Sequence, residues 1–264
     1  MNNIRKIGEL CWLDIKTSDM TTSKLFYKKL FGWEYHDENW PHKIYTIIRK
    51  DGDRLGGLTD LNLAPLPLGT APHISVYIAA HSVDDMTENC EKFNGQVLVE
   101  PFDLEDLMRM SVIQEPEGAV FSLLEKGTFQ AMNAEPRKEG VPCWFELITP
   151  DLSKSAACYT QSLGWTLSAS EKASDQSLYI QCGEQVIGKM TASSRERPPE
   201  WVVYYNVNSI EHEAERTPAL GAQRLADIRE ICAYRQGSDI RRFSRNDIRS
   251  FGICELIDLL PGSP

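Results

Sequence analysis

CWLDIKTSDMTTSKLFYKKLFGW, residues Cys11–Trp33, and CWFELITPDLSKSAACYTQSLGW, residues Cys143–Trp165, decide how the chain is read. The second stretch follows the first by 132 residues, half of the 264 in the chain, and the two share eight identities over 23 positions without a gap. The identities include Trp12/Trp144, Thr17/Thr149, Asp19/Asp151, Tyr27/Tyr159 and Trp33/Trp165, while Asp14/Glu146 is a conservative pair. Duplication of a unit of about 130 residues is the economical explanation.

Each copy opens on a strand, ELCWLDIKT or VPCWFELIT, whose side chains alternate between two faces. Trp12 and Asp14 therefore share one face, as do Trp144 and Glu146. A helix follows in each copy: Asp19 and Asp151 are placed as N-caps, apolar residues recur at helical spacing, and Gly32 and Gly164 stand where a left-handed C-terminal residue is wanted. Strand-like stretches come next, KIYTIIRKDG and RLGGLTDL in the first copy and QSLYIQCGEQVIGKM in the second. A further strand and helix, HISVYIAAHSVDDMTENCEKFNGQVLVE, is echoed by WVVYYNVNSIEHEAERTPALGAQRLAD, matching Tyr77 to Tyr204. The expected organisation is α+β, with one domain over residues 1–130 and a second over 141–264 that diverges toward its C-terminus. Turn-forming, charged linkers such as AMNAEPRKEGVP separate the units.

The composition, 42% hydrophobic and 9% aromatic, suits a well-buried core. A formal net charge of −10 at pH 7 disfavours nucleic acid and anionic membrane as partners, because both need a concentrated basic surface. No apolar run approaches the roughly 20 residues of a membrane span. Seven Cys at scattered positions, without CxxC spacing, read as buried small hydrophobes in a reducing, cytoplasmic compartment. His36 and His42 fall in an expected turn, HDENWPH, as solvated side chains. No phosphate loop, dinucleotide fingerprint or nucleophile elbow is present, so no cofactor is expected. The expected partner is a small molecule, and the chain acts as a monomer of two pseudo-symmetric domains or as a homodimer.

The tandem pattern W-x-[DE]-[IL]-x-T-x-D…FY…LFGW, with EPEGAVFSLLE at residues 115–125, resembles the vicinal oxygen chelate superfamily of glyoxalases, extradiol dioxygenases and bleomycin-resistance proteins. More closely it is similar to two-domain glyoxalase-like proteins labelled hydroxylases. The resemblance implies tandem duplicated domains, each of two βαβββ units curled into a half-open barrel around a cavity. It also implies where metal-dependent members keep their ligands: a His seven residues before the helix-capping Asp, and further donors on later strands. Those positions hold Trp12, Gly57, Ser75 and Ser122 in the first domain, and Trp144, Lys189, Val202 and Gly252 in the second. None is a usual ligand, so no metal is expected. His73, two residues from Ser75, is the one substitute donor.

A Trp and an acid facing one cavity suit a flat or cationic small molecule. The candidate ligand-binding residues are Trp12, Asp14, Ser75, Tyr77, Trp144, Glu146, Lys189 and Tyr204, with Asp14 and Glu146 as candidate acid/base groups. The alternative bland role for each acid is to accept hydrogen bonds from a buried Tyr or backbone group. Three functions follow: a metal-free binding protein; a lyase, isomerase or oxygenase using Asp14 or Glu146 or a recruited metal; and a structural or dimerising scaffold. The Arg-rich stretch 229–249 is expected to be either a divergent segment or an anion site.

Overall fold

The computed structural model describes residues 5–40, 43–64, 66–67, 69–170 and 176–221, with the backbone of 234–236 and 239–241. The first half runs β1 (Leu10–Thr17), α1 (Met20–Phe31), β2 (Glu34–Trp40), β3 (Lys43–Lys50), β4 (Asp53–Asp60), β5 (His73–Ala79), α2 (Val83–Lys92), β6 (Gln96–Leu104), β7 (Met108–Gln114) and β8 (Val120–Lys126). These strands form one sheet in the order β2-β3-β4-β1-β5-β8-β7-β6. Two βαβββ units are thus joined along β1 and β5, which pair antiparallel, while each unit closes on itself through a parallel pair, β1 with β4 and β5 with β8.

The second half runs β9 (Pro142–Thr149), α3 (Leu152–Leu163), β10 (Thr166–Ala169), β11 (Ser177–Cys182), β12 (Gln185–Ala192), β13 (Glu200–Tyr205) and α4 (Ile210–Arg216). Its sheet order, β10-β11-β12-β9-β13, reproduces that of the first five strands of domain 1. A short pair, β14 (Tyr234–Gln236) and β15 (Asp239–Arg241), follows. Arg229, Arg242, Arg245, Arg249, Phe251 and Gly252 lie outside the described residues. No helix among the described residues is long and apolar enough to cross a membrane.

The duplication extends to individual bonds. Asp19 accepts from Thr22 N and Asp151 from Ser153 N and Lys154 N, and both helices end on a left-handed glycine, Gly32 at φ 70° and Gly164 at φ 68°. The residues α3 buries, Ser155, Cys158, Tyr159, Ser162 and Leu163, each stand 132 positions after one that α1 buries. Thr17 and Ser23 share a hydrogen bond of 2.7 Å and Thr149 and Ser155 one of 2.8 Å.

The terminal Trp of each motif joins the two halves. Trp33 stacks on Tyr27, with centroids 4.7 Å apart, and donates its indole N–H to Gly140 O at 2.7 Å, two residues before β9. Trp165 stacks on Tyr159 at 5.1 Å and donates to Gly8 O at 2.8 Å, two residues before β1. Each domain's first helix therefore holds the entry to the other domain's first strand. Both acceptors have positive φ, +84° at Gly8 and +72° at Gly140, and a Cβ at Gly140 would stand 2.8 Å from Phe31 Cβ. One hydrophobic core passes through both domains, from Leu10 to Val207.

Two expectations are corrected. HDENW is not a turn: it belongs to β2, an edge strand whose polar residues face solvent and protect the edge from further pairing. His36 is accordingly a half-exposed strand residue, and His42 lies outside the described residues. The segment after β8 is more than a surface linker, because Phe129, Met132 and Ala134 are buried against domain 1. The cysteine reading holds where it is described: Cys11, Cys90, Cys158 and Cys182 are free and buried, and Cys143 is free and half-buried.

Gly140→Ala is expected to cost about 2–4 kcal/mol, since it adds a backbone contact below van der Waals distance to left-handed strain. Gly52→Ala, also at positive φ but with no atom near its Cβ, is expected to cost about 1 kcal/mol. Urea unfolding of the two variants checks the order, and equal losses would remove the role given to the Gly140 contact.

Candidate functional site

The register of β1 assembles the first site. Asp14 pairs with Gly57 of β4 on one side and Ser75 of β5 on the other, and Trp12 pairs with Tyr77, which pairs in turn with Ser122 of β8. Directly paired residues share a face of a sheet, so Trp12, Asp14, Gly57, Ser75, Tyr77 and Ser122 form one patch on one face. In domain 2 Glu146 pairs with Lys189 and Val202, and Trp144 with Tyr204. Every candidate site residue thus lies in one of two corresponding patches.

Within the first patch Asp14, 3% exposed, is fully engaged. Tyr45 of β3 donates to Oδ1 at 3.1 Å, Thr59 Oγ1 lies 2.9 Å from both carboxylate oxygens, and Lys16 Nζ lies 2.5 Å from Oδ2. Trp12 Nε1 donates to Tyr45 Oη at 3.0 Å, so indole, phenol and carboxylate form a chain. Burial works against the Lys16 ammonium, but Asp14 outweighs it and holds the lysine above its ordinary pKa. Burial, reinforced by the Asp14 charge, raises the Tyr45 phenol well above its ordinary value, so it stays a donor.

The Trp12 ring is also occupied. Phe129, arriving from the segment after β8, meets it edge-on with centroids 4.9 Å apart, and the Arg54 guanidinium lies 5.5 Å from its centre. Trp40 packs against both Tyr45 and Phe129. This aromatic cluster covers the β1–β4 part of that face, while Ser75 and Tyr77, both half-buried, lie on its β5 part.

Domain 2 holds its acid in the same manner with different parts. Glu146 accepts from Thr191 and from Tyr204, and Lys189 Nζ stands 3.2 Å from Oε1. Thr191 lies 132 residues after Thr59, but the lysine comes from β12 instead of β1, and the phenol from β13 instead of β3. Sequence reasoning missed Lys16, Tyr45, Thr59, Thr191 and Phe129. Lys16 was legible, being two residues beyond Asp14 on the same strand face, and the Thr59/Thr191 match lay in the repeat.

The residues present do not fit a divalent metal. Trp12, Gly57, Ser75 and Ser122 bring neither imidazole nor carboxylate, and a Cβ at Gly57 would stand 1.8 Å from Tyr45 Oη, so the phenol fills the space where a ligating side chain would start. Among the described residues no group of three or more His, Cys, Asp or Glu could hold a metal ion. His73 is placed beside Lys16, an ammonium, with its Nδ1 2.8 Å from Ala71 O.

The ion pair gives a stability test. Removing one partner of a buried pair leaves an uncompensated charge, so Asp14→Asn and Lys16→Met are each expected to cost about 3 kcal/mol. The double variant is expected to be more stable than the sum of the two losses implies, by about 1–3 kcal/mol of coupling. Chemical denaturation of the four proteins checks this, and additive losses would show that the pair contributes nothing to folding.

No family model matches the chain. A Mycobacterium tuberculosis (strain CDC 1551 / Oshkosh) protein named "Putative glyoxylase CFP32" is 30% identical over 228 residues, spanning 83% of this chain and 85% of its own. The anthracycline biosynthesis protein DnrV of Streptomyces peucetius is 27% identical over 234 residues, spanning 81% and 82%. Among solved structures, the Mn(II)-bound glyoxalase from Novosphingobium aromaticivorans superposes with a TM-score of 0.56 at 19% identity, covering 83% of this chain and 73% of that one. BphC, a halotolerant catechol dioxygenase, gives 0.50 at 12% identity, covering 81% and 74%. At such identities the structural likeness speaks for the fold alone. The paired βαβββ units, the repeated motif and the extent of the mycobacterial match agree: the chain belongs to the vicinal oxygen chelate superfamily, as a tandem glyoxalase-like member.

Proposed function

We propose that the chain is a metal-free small-molecule-binding protein of this superfamily, with its ligand on the concave face of domain 1 and a related site in domain 2. One observation carries the reading: the ground that a metal centre needs is taken by the Lys16–Asp14–Tyr45 cluster, with the phenol standing over Gly57. A flat molecule would lie against Tyr77 and bond to Ser75, with Trp12 and Asp14 as the floor behind them. Trp144, Glu146, Lys189 and Tyr204 form the corresponding set in domain 2. Two relatives named for anthracycline biosynthesis are in keeping with a flat ligand, because anthracyclines carry a fused aromatic ring system.

A lyase, isomerase or oxygenase with Asp14 or Glu146 as base has less support. A general base needs an available lone pair and a pKa near the working pH, and each of these carboxylates is already shared between an ammonium, a phenol and a threonine. The same proposal places the protein in the cytoplasm without a cofactor, as a monomer or homodimer, with domains over 1–130 and 141–264.

Protein purified without added metal is expected to carry far less than about one transition metal ion per chain, and to keep its Tm in a chelator. In a thermal-shift screen of metabolites and antibiotics, a flat ligand at about a hundred times its Kd adds roughly 2.7 kcal/mol and raises Tm by several degrees. About one tightly held metal per chain by elemental analysis would overturn the metal-free reading.

A further inference from the structure

The domain 1 face carries positive charge along β1 and β3, in a chain whose formal net charge is −10. Charges on this face are matched except at one point. Glu38 is held by Arg54 at 2.6 Å and Asp14 by Lys16 at 2.5 Å. Lys43, whose Nζ lies 4.9 Å from the Tyr45 ring centre, has no carboxylate within ion-pair distance among the described residues. Lys16 has donors to spare as well. Its ammonium gives one hydrogen bond, to Asp14, and its other two N–H groups have no acceptor among the described residues.

Toward its β7–β6 edge the same face of the sheet is apolar. Val112 pairs with Ser122 and Met110 with Leu124, and Val99 and Phe102 continue the same face onto β6 with exposures of 43% and 39%. A cation has little to bind here, because Asp14 is already neutralised and Arg54 lies over the Trp12 ring.

We infer that this site takes a planar organic anion, an aromatic carboxylate or phenolate, whose oxygens receive the spare N–H groups of Lys16 under the field of Lys43 while its ring lies against Tyr77. The inference rests on the small-molecule reading above and adds to it the sign of the ligand's charge. The protonation state of Lys16 agrees with it, while burial holds the more exposed Lys43 below the usual lysine value. Lys16 is held above the usual lysine value despite its burial, through Asp14. Burial pushes the Tyr77 phenol up to about 12, against the pull of Lys16, so it remains a donor. Burial holds His73 below its ordinary value, so at pH 7 it adds no competing charge.

Three probes that share one ring system and differ in charge test this by calorimetric titration of the full chain: 2-naphthoate, 2-naphthylmethanol and 2-naphthylmethylammonium. Naphthoate is expected to bind about ten- to a hundred-fold more tightly than the alcohol, the ammonium compound most weakly, and the preference to shrink as salt is added. Lys43→Gln, at an exposed position, is expected to reduce the preference severalfold. The charge-neutral pair Asp14→Asn/Lys16→Met is expected to abolish the preference, so that naphthoate and the alcohol bind with similar affinity. If that double variant fails to fold, Lys43→Gln decides alone. Equal binding of the three probes, a preference for the ammonium compound, or an anion preference unchanged in the variants overturns the inference while leaving the small-molecule reading intact. Failure of all three to bind at millimolar concentration also overturns it, and the wider reading is then decided separately by the thermal-shift screen.

Discussion

Two indole-to-carbonyl hydrogen bonds, Trp33 to Gly140 and Trp165 to Gly8, set the relation between the halves on which everything else depends. Each closes the end of one domain's first helix on the residue that leads into the other domain's first strand. Because β1 and β9 are the central strands that carry Trp12, Asp14, Trp144 and Glu146, the same bonds orient both sites. The geometry needs a residue at positive φ with no side chain at each acceptor, so two glycines 132 residues apart complete a motif whose visible part is the repeated Gly-Trp. The link is strengthened where Ser155 of α3 donates to Glu115, which also accepts the backbone N–H groups of Glu117 and Ala119 in the turn before β8.

Around the two acids the domains reach one result by different routes. A carboxylate buried on a face without a metal needs a cation and several donors, or its desolvation is uncompensated. Domain 1 supplies them from β1, β3 and β4, domain 2 from β12 and β13, and only the threonine is inherited at the same place. That difference argues for a constraint on charge and hydrogen bonding, not on position. In domain 1 the Trp and the acid are also tied together, because the Trp12 indole N–H is satisfied by the phenol that serves Asp14.

The repeat and the strand alternation are local signals and made the fold legible, whereas the placing of Gly57, Ser75 and Ser122 with Trp12 came from the family resemblance and agrees with the register. Edge strands were not legible: β2 lacks an apolar face of its own, β10 is only four residues long, and both are held as strands by pairing with β3 and β11. Tyr45 and Phe129 were equally hidden. Tyr45 reaches Asp14 across β4, and Phe129 reaches Trp12 from 117 positions further along the chain, so no spacing rule connects either pair.

The central claim is that an internal ammonium and phenol occupy the ground of a metal centre. Titrating the 15N-labelled protein with Mn(II) and following its tryptophan indole N–H signals tests this directly, because a bound paramagnetic ion broadens nearby resonances and Trp12 Nε1 lies 3.0 Å from the phenol in question. The account predicts that the Trp12 and Trp144 signals stay as sharp as those of Trp33 and Trp165 at equimolar Mn(II). Selective loss of the Trp12 signal at about one equivalent would mean that a metal displaces Lys16 and takes Asp14, and would contradict it.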